Sequence, residues 1–226
     1  MEPLLSIKNL HKSKKGKNIL SDVNIELHKG EIVGFIGANG AGKTTTMKCM
    51  MGLYSFEGKI EKGEIKVGAL IEEPCFYPYM SGIRNLKIDS MYYKDVSKKR
   101  IEDIVKELDM SQYIGQKVKR YSLGMKQRLG LAFALMDDPD VIILDEPMNG
   151  LDPQGVVVLR NTLKKLAHEK NKAILISSHI LSEMQVLCDR FVFIKDGRTF
   201  DIQTDDDLEK KYMEIMEEGM ELCLNL

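Results

Sequence analysis

The stretch EIVGFIGANGAGKTTTMKCMMGL, residues 31–53, constrains the fold more than any other part of the chain. Its first six residues are mostly apolar and read as a short strand buried on both faces. Gly37, Gly42, Lys43 and Thr44 then fit the spacing G-x-x-x-x-G-K-[ST]. Glycines let the backbone turn and bring its N–H groups close to phosphate oxygens. The helix that follows, beginning near Gly42, directs its positive end at the same point. Lys43 supplies a mobile charge for the terminal phosphates, and Thr44 a hydroxyl for Mg²⁺. Gly37, Ala38, Asn39, Gly40, Ala41, Gly42, Lys43, Thr44 and Thr45 are therefore the candidate triphosphate-binding residues.

The rest of the chain reads as an α/β domain around that loop. Residues 4–10 and 20–27 alternate in strand fashion, with a turn at 14–17 between them. Further strands are predicted at 63–72, 141–145 and 173–178, and a hairpin over 190–202 turning at Asp196-Gly197. From residue 81 the periodicity becomes helical. Ile101, Ile104, Val105 and Leu108 form one stripe, with Ser97 as N-cap. Helices are also predicted after Ser122, over 153–170 with Pro153 at the start, and after His179. Alternating strands and helices imply a mostly parallel core sheet. That core is expected at 1–74 and 136–204, a helical lobe at about 75–135, and a charged helical tail at about 205–226.

Charge and hydropathy exclude several classes. The 33 basic and 34 acidic side chains nearly cancel, so no basic field points to nucleic acid. No run approaches the roughly 20 apolar residues of a membrane span, and the start lacks the apolar core of a signal peptide. The expected location is cytoplasmic, with any membrane-spanning part supplied by another chain. Cys49, Cys75, Cys188 and Cys223 are widely spaced, which reads as reduced thiols rather than a zinc or disulfide framework.

A phosphate loop needs a Mg²⁺ partner. VIILDEP, residues 141–147, places Asp145 at the end of a buried strand, where it can hold a metal. Glu146 beside it can orient or deprotonate an attacking water. His179 follows the apolar strand at 173–178, in reach of a terminal phosphate, because ligands gather at the carboxyl ends of such strands.

GANGAGKTT, YSLGMKQR, VIILDEP, NGLD and SSH stand in this order over nearly the whole chain. In this the chain resembles the ATP-binding subunits of ATP-binding cassette (ABC) transporters. The resemblance implies the P-loop ABC-ATPase fold, with a mostly parallel core sheet, an N-terminal antiparallel β part and an inserted helical subdomain. It implies ATP and Mg²⁺ as ligands and a head-to-tail homodimer enclosing two nucleotides. Glu146 would be the catalytic carboxylate and His179 the switch histidine. Ser122 and Gly124, within the signature segment Tyr121–Met125, would bind the ATP of the second subunit, and Asn149–Asp152 would face across the interface. Membrane-spanning permease subunits would be the other partners, with this chain peripheral to the inner face of the membrane and no nucleic acid involved.

Three departures from the family pattern stand out. Leu123 replaces a usual glycine of the signature. The early aromatic that stacks on adenine is missing, with Lys14 near that position and His11 the nearest ring. Glu72 replaces a usual glutamine and is assigned to the metal side with Thr44 and Asp145. The glutamate variant followed by EPCFYPYMSGIRNL resembles exporters that protect bacteria from lantibiotics and bacitracin-like peptides. Residues 76–86 are read either as a docking surface for the membrane partner or as a small local core. A soluble ABC ATPase outside transport, and an ATP-gated sensor subunit, remain the alternatives.

Overall fold

The computed structural model describes residues 2–202 and 208–215. Nine strands form one sheet in the order β4-β1-β2-β9-β8-β3-β7-β6-β5. They are β1 Leu5–Lys14, β2 Lys17–Leu27, β3 Ile32–Ile36, β4 Glu57–Lys62, β5 Val67–Leu70, β6 Val141–Leu144, β7 Ala173–Ser177, β8 Arg190–Lys195 and β9 Arg198–Ile202. The helices are α1 Lys43–Met50, α2 Gly82–Ser90, α3 Lys98–Glu107, α4 Leu123–Ala134, α5 Pro153–Lys164 and α6 Leu181–Leu187. Residues 208–215 are also helical; the rest of the predicted tail lies outside the described residues.

The expected mixed sheet is present. β3, β7, β6 and β5 run parallel to one another and β8 parallel to β3, whereas β4, β1 and β2 pair antiparallel and β9 runs antiparallel to β8. Two tight hairpins close where the backbone is left-handed at two successive residues, Lys15-Gly16 and Asp196-Gly197. Helices α2, α3 and α4 are inserted between β5 and β6.

Strand alternation divides the interior into two cores. Ile142 and Leu144 of β6, Ile174 and Ile176 of β7, and Ile32 and Ile36 of β3 face the helical lobe, together with Leu86, Ile104 and Leu131. Val141, Ile143, Leu175, Val33 and Phe35 face the other way, onto Met47 of α1 and the apolar side of β1 and β2. A parallel strand covered on both sides is a near-continuous apolar run; β3, β6 and β7 are buried at every position, and β7 is apolar up to its last residue, Ser177. The predicted stripe of α3 is buried, and Ser97 caps the helix by accepting from Arg100 N at 3.1 Å.

Two elements differ from the sequence expectation. β4 carries Glu57, Lys59, Glu61 and Lys62 and shows no apolar alternation, because it is the sheet's edge and charged side chains suit an exposed edge. The predicted helix 153–170 is α-helical only to Lys164; a π-helical turn, Lys165–Glu169, completes it, closed by Lys170 N to Lys165 O at 3.2 Å.

The lobe is joined to the core through α4 and β5. A Cβ added at Gly68 would lie 1.9 Å from the carbonyl oxygen of Ala134 at the end of α4, so only glycine permits this approach. Gly68→Ala should destabilise the fold by about 1–3 kcal/mol through overpacking. Gly115→Ala, where nothing lies within 4 Å, should be close to neutral. Thermal melts of both variants check this.

Candidate nucleotide-binding site

The glycine loop joins β3 to α1. A Cβ at Gly37 would come 2.4 Å from Ile194 O on the neighbouring β8, so the loop leaves the sheet in close contact with that strand. Gly42 has φ 116°, which opens α1 without a side-chain cap. The first N–H groups of the helix are thereby left for an anion, with no acidic residue in the first turn.

Lys43 is 7% exposed and its Nζ donates to Gly37 O at 2.6 Å and Ala38 O at 3.2 Å. Burial lowers its pKa below the ordinary lysine value, while the charges of Glu146 and Asp145 oppose that shift. Asp145, 8% exposed, is the junction of the site. Its Oδ2 accepts from Thr44 Oγ1 at 2.6 Å, and its Oδ1 accepts from Ser177 Oγ at 2.6 Å. Ser177 Oγ in turn accepts from Glu146 N at 2.9 Å. Glu146 has φ 49°, and its Oε2 lies 2.8 Å from Nδ1 of His179.

These groups meet because β3, β7 and β6 are adjacent and parallel, so their carboxyl ends open on one side. Asn39, Gly40, Gly42, Lys43, Thr44, Thr45, Asp145 and Glu146 line one cleft of about 170 Å³. A second cavity of about 520 Å³ shares Asn39 and Gly40 and extends over Ala38, Ala41, Ile19 and the Asp196-Gly197 turn. Its lining contains no aromatic ring. Neither Lys14 nor His11 lines it: the Lys14 ammonium sits 5.9 Å over the Tyr54 ring, and His11 pairs with Glu57 in the sheet.

Thr44 and Asp145 fit a hard divalent cation, since both present oxygen. Among the described residues no group of three His, Cys, Asp or Glu could hold a metal by itself. That suits Mg²⁺, which takes one or two protein oxygens and fills its shell with phosphate and water. Glu72 lies elsewhere. It is not part of the cleft lining, and its carboxylate meets Lys48 Nζ at 2.6 Å, with its side chain 60% exposed.

Ser122 and Gly124 do not line the cleft of their own chain. They open α4, where Ser122 Oγ accepts from Met125 N at 3.2 Å. Asn149–Asp152 forms a turn beside that helix tip, and Asp152 caps α5 by accepting from Gly155 N at 3.0 Å. Residues 76–86 contain one packed aromatic ring and two exposed ones. Phe76 packs on Phe133 with ring centroids 5.4 Å apart, whereas Tyr77 and Tyr79 are exposed. Cys49 and Cys188 are buried free thiols and Cys75 is exposed; Cys223 lies outside the described residues.

Sequence reasoning assigned no role to Ser177, which ties Asp145 to Glu146. The one signal was a buried polar residue ending the apolar strand 173–177.

A strand, glycine turn and helix carrying Lys43-Thr44, with a carboxylate at the end of β6, one strand beyond the neighbouring β7, define a P-loop nucleoside triphosphatase. Residues 20–149 match the family model described as ABC transporter. The chain is 42% identical to the uncharacterized ABC transporter ATP-binding protein YhcH of Bacillus subtilis strain 168, over 90% of this chain and 70% of that protein. It is 40% identical to the lantibiotic transport ATP-binding protein SrtF of Streptococcus pyogenes, over 92% of this chain and 91% of that one. It is 37% identical to the bacitracin transport ATP-binding protein BcrA of Enterococcus faecalis, over 93% and 72%. A solved ATP-binding subunit of an ABC transporter superposes with a TM-score of 0.85 at 28% identity, over 94% of this chain and 99% of that one. The chain belongs to the ABC transporter family, as an ATP-hydrolysing subunit that energises transport.

Lys43→Ala should weaken nucleotide binding about 10-fold or more, since hydrogen bonds to charged groups contribute about 1.5–3 kcal/mol. Because burial lowers the pKa of Lys43, affinity should fall on raising the pH before that of Lys43→Arg, whose guanidinium keeps its charge. Titration with a fluorescent nucleotide across the alkaline range measures both.

Proposed function

We propose that this chain is the motor of an exporter for peptide antibiotics of the bacitracin or lantibiotic kind, acting as a head-to-tail pair beneath separate membrane-spanning subunits. The substrate reading is supported by the 36–40% identity to proteins named for bacitracin and lantibiotic transport. Among the described residues no helix is long and apolar enough to cross a membrane. Exposed Tyr77 and Tyr79, beside the Glu72 loop, are the docking candidates, and the assembly belongs at the cytoplasmic face.

The observation that carries the catalytic reading is the chain of contacts Thr44–Asp145–Ser177–Glu146–His179. In this reading the glycine loop and Lys43 hold the triphosphate, Lys43 exchanging the carbonyls of Gly37 and Ala38 for phosphate oxygens. Thr44 and Asp145 hold Mg²⁺, which when bound offsets the negative charge of the phosphates. Glu146 orients the attacking water and accepts its proton. His179, hydrogen-bonded to Glu146, fixes the carboxylate and contacts the terminal phosphate. Ser122 and Gly124 of a second copy close the site from the other side, α4 presenting its N-terminal N–H groups to that phosphate. Glu72, paired with Lys48, is the third candidate on the metal side.

Glu146→Gln should lower single-turnover hydrolysis about 100-fold or more, the range of general-base removal. It should also accumulate an ATP-bound dimer, seen by light scattering. Unchanged turnover would remove Glu146 from catalysis; a monomer under saturating ATP would remove the head-to-tail pair. For Glu72→Gln, the Mg²⁺ concentration at half-maximal activity should shift while ATP affinity holds. Coincident Mg²⁺ titrations would leave Glu72 as the partner of Lys48 alone.

A further inference from the structure

Charge is unevenly divided in this chain. The whole carries a net −1, yet residues 75–135, the helical lobe, hold twelve basic and six acidic side chains, a net +6. Such an asymmetry points to a surface that meets an anionic partner. Part of it is concentrated at α2 and the turn that follows. Arg84, Lys87, Ile88 and Met91 recur at steps of three and four residues, so they share one face of the helix. Asn85 and Leu86 take the buried face. Arg84, Lys87 and Met91 are exposed, as are Tyr92 and Lys94 in the turn and Lys98 and Lys99 at the start of α3.

Met91 and Tyr92 are 82% and 81% exposed, more than any other large apolar side chain among the described residues. Side chains this far out have almost no protein to pack against. The acidic residues of the segment leave the cations uncompensated. Asp89 turns an unpartnered Oδ2 inward, where it is buried. Asp95 acts on Lys66 of the core. Lys98 pairs with Glu102 and Arg100 with Asp138, whereas Arg84, Lys87, Lys94 and Lys99 have no ion-pair partner among the described residues.

We infer that residues 84–99 form a face that docks on an anionic lipid surface, with Lys87, Lys94 and Lys99 against the headgroups and Met91 and Tyr92 inserted at their level. Lysines are drawn to anionic headgroups, and a tyrosine, apolar in its body and polar at its tip, suits the membrane–water boundary. A fluid bilayer requires no pocket, which fits side chains that stand clear of the protein. Nucleic acid would leave Met91 without a role, because phosphates are held by cations and bases by hydrogen bonds or stacked rings. The inference deepens the proposed location at a membrane, adding a direct hold on lipid to the partner chains, and does not depend on the peptide carried.

The test is co-sedimentation of the full-length chain, without partner chains, with vesicles of phosphatidylcholine alone or of phosphatidylcholine and phosphatidylglycerol in equal parts. The chain should bind the anionic vesicles, bind the neutral ones far more weakly, and come off as salt is raised. Lys87→Glu with Lys94→Glu should lower the partition coefficient about 10-fold or more, since each basic residue near an anionic surface contributes about 5-fold. Met91→Ser with Tyr92→Ser should lower it about 5-fold or more through lost apolar insertion. Lys15→Glu with Lys29→Glu makes the same change of charge at exposed positions outside the lobe and should stay within about 2-fold, because distant charges are screened. The chain has no tryptophan, so Met91→Trp reports insertion directly: its emission should shift to the blue on anionic vesicles. Melting temperature and nucleotide affinity check that each variant is folded.

Equal loss in the Lys15 and Lys29 control, or unshifted Met91→Trp emission on bound vesicles, would overturn the face, since lipid would then be met by diffuse charge or elsewhere on the chain. No binding to anionic vesicles would overturn it outright; if the chain still co-purifies with membrane-spanning subunits, the proposed location stands without it. A chain that binds vesicles through this face but co-purifies with no such subunit keeps the face and loses the proposed partners. Capture of an oligonucleotide by a chain that ignores vesicles, abolished in Lys87→Glu with Lys94→Glu, would assign the face to nucleic acid and overturn lipid docking.

Discussion

Everything about this site depends on the carboxylate of Asp145 being held between two hydroxyls. Thr44 donates from the start of α1 and Ser177 from the end of β7, each at 2.6 Å. Three segments far apart in sequence are thereby registered to one another at the carboxyl ends of adjacent parallel strands. A buried carboxylate is tolerated only when its oxygens are satisfied, and these hydroxyls satisfy them. The same serine accepts from the backbone N–H of Glu146, so the two carboxylate-bearing residues share one anchor. The buried apolar strands β3, β6 and β7 make this rigid, which is what a site that must meet a triphosphate from several directions requires.

The glycine loop was the most legible part of the sequence because its chemistry is local. Strand, turn and helix follow one another without interruption, and each residue type has one physical reason to be there. The stripe of α3 with Ser97, and the two glycine hairpins, were legible for the same reason. β4 was not, because an edge strand is selected for charge rather than alternation. Ser177 was not, because its importance exists only once Leu144 and Ile176 pair and bring the two strand ends together. The ion pair of Glu72 was not legible, because its partner Lys48 is on α1 and only the fold puts the two charges together.

The chain divides its labour along the same lines. The core grips nucleotide, and the helical lobe carries the Ser122–Gly124 tip and the exposed tyrosines. The two are joined by close packing at Gly68 and at Gly150, both places where a single added methyl would collide.

The most direct measurement is nucleotide-dependent crosslinking between two copies. Cysteines would replace Asn39 in the loop and Ser122 at the tip of α4, in a background with the exposed Cys75 and the terminal Cys223 changed to serine. The account predicts a crosslinked dimer with Mg²⁺ and ATP in the Glu146→Gln background and little without nucleotide. A yield that is the same with and without ATP would contradict it, because the second copy would then not be completing the site.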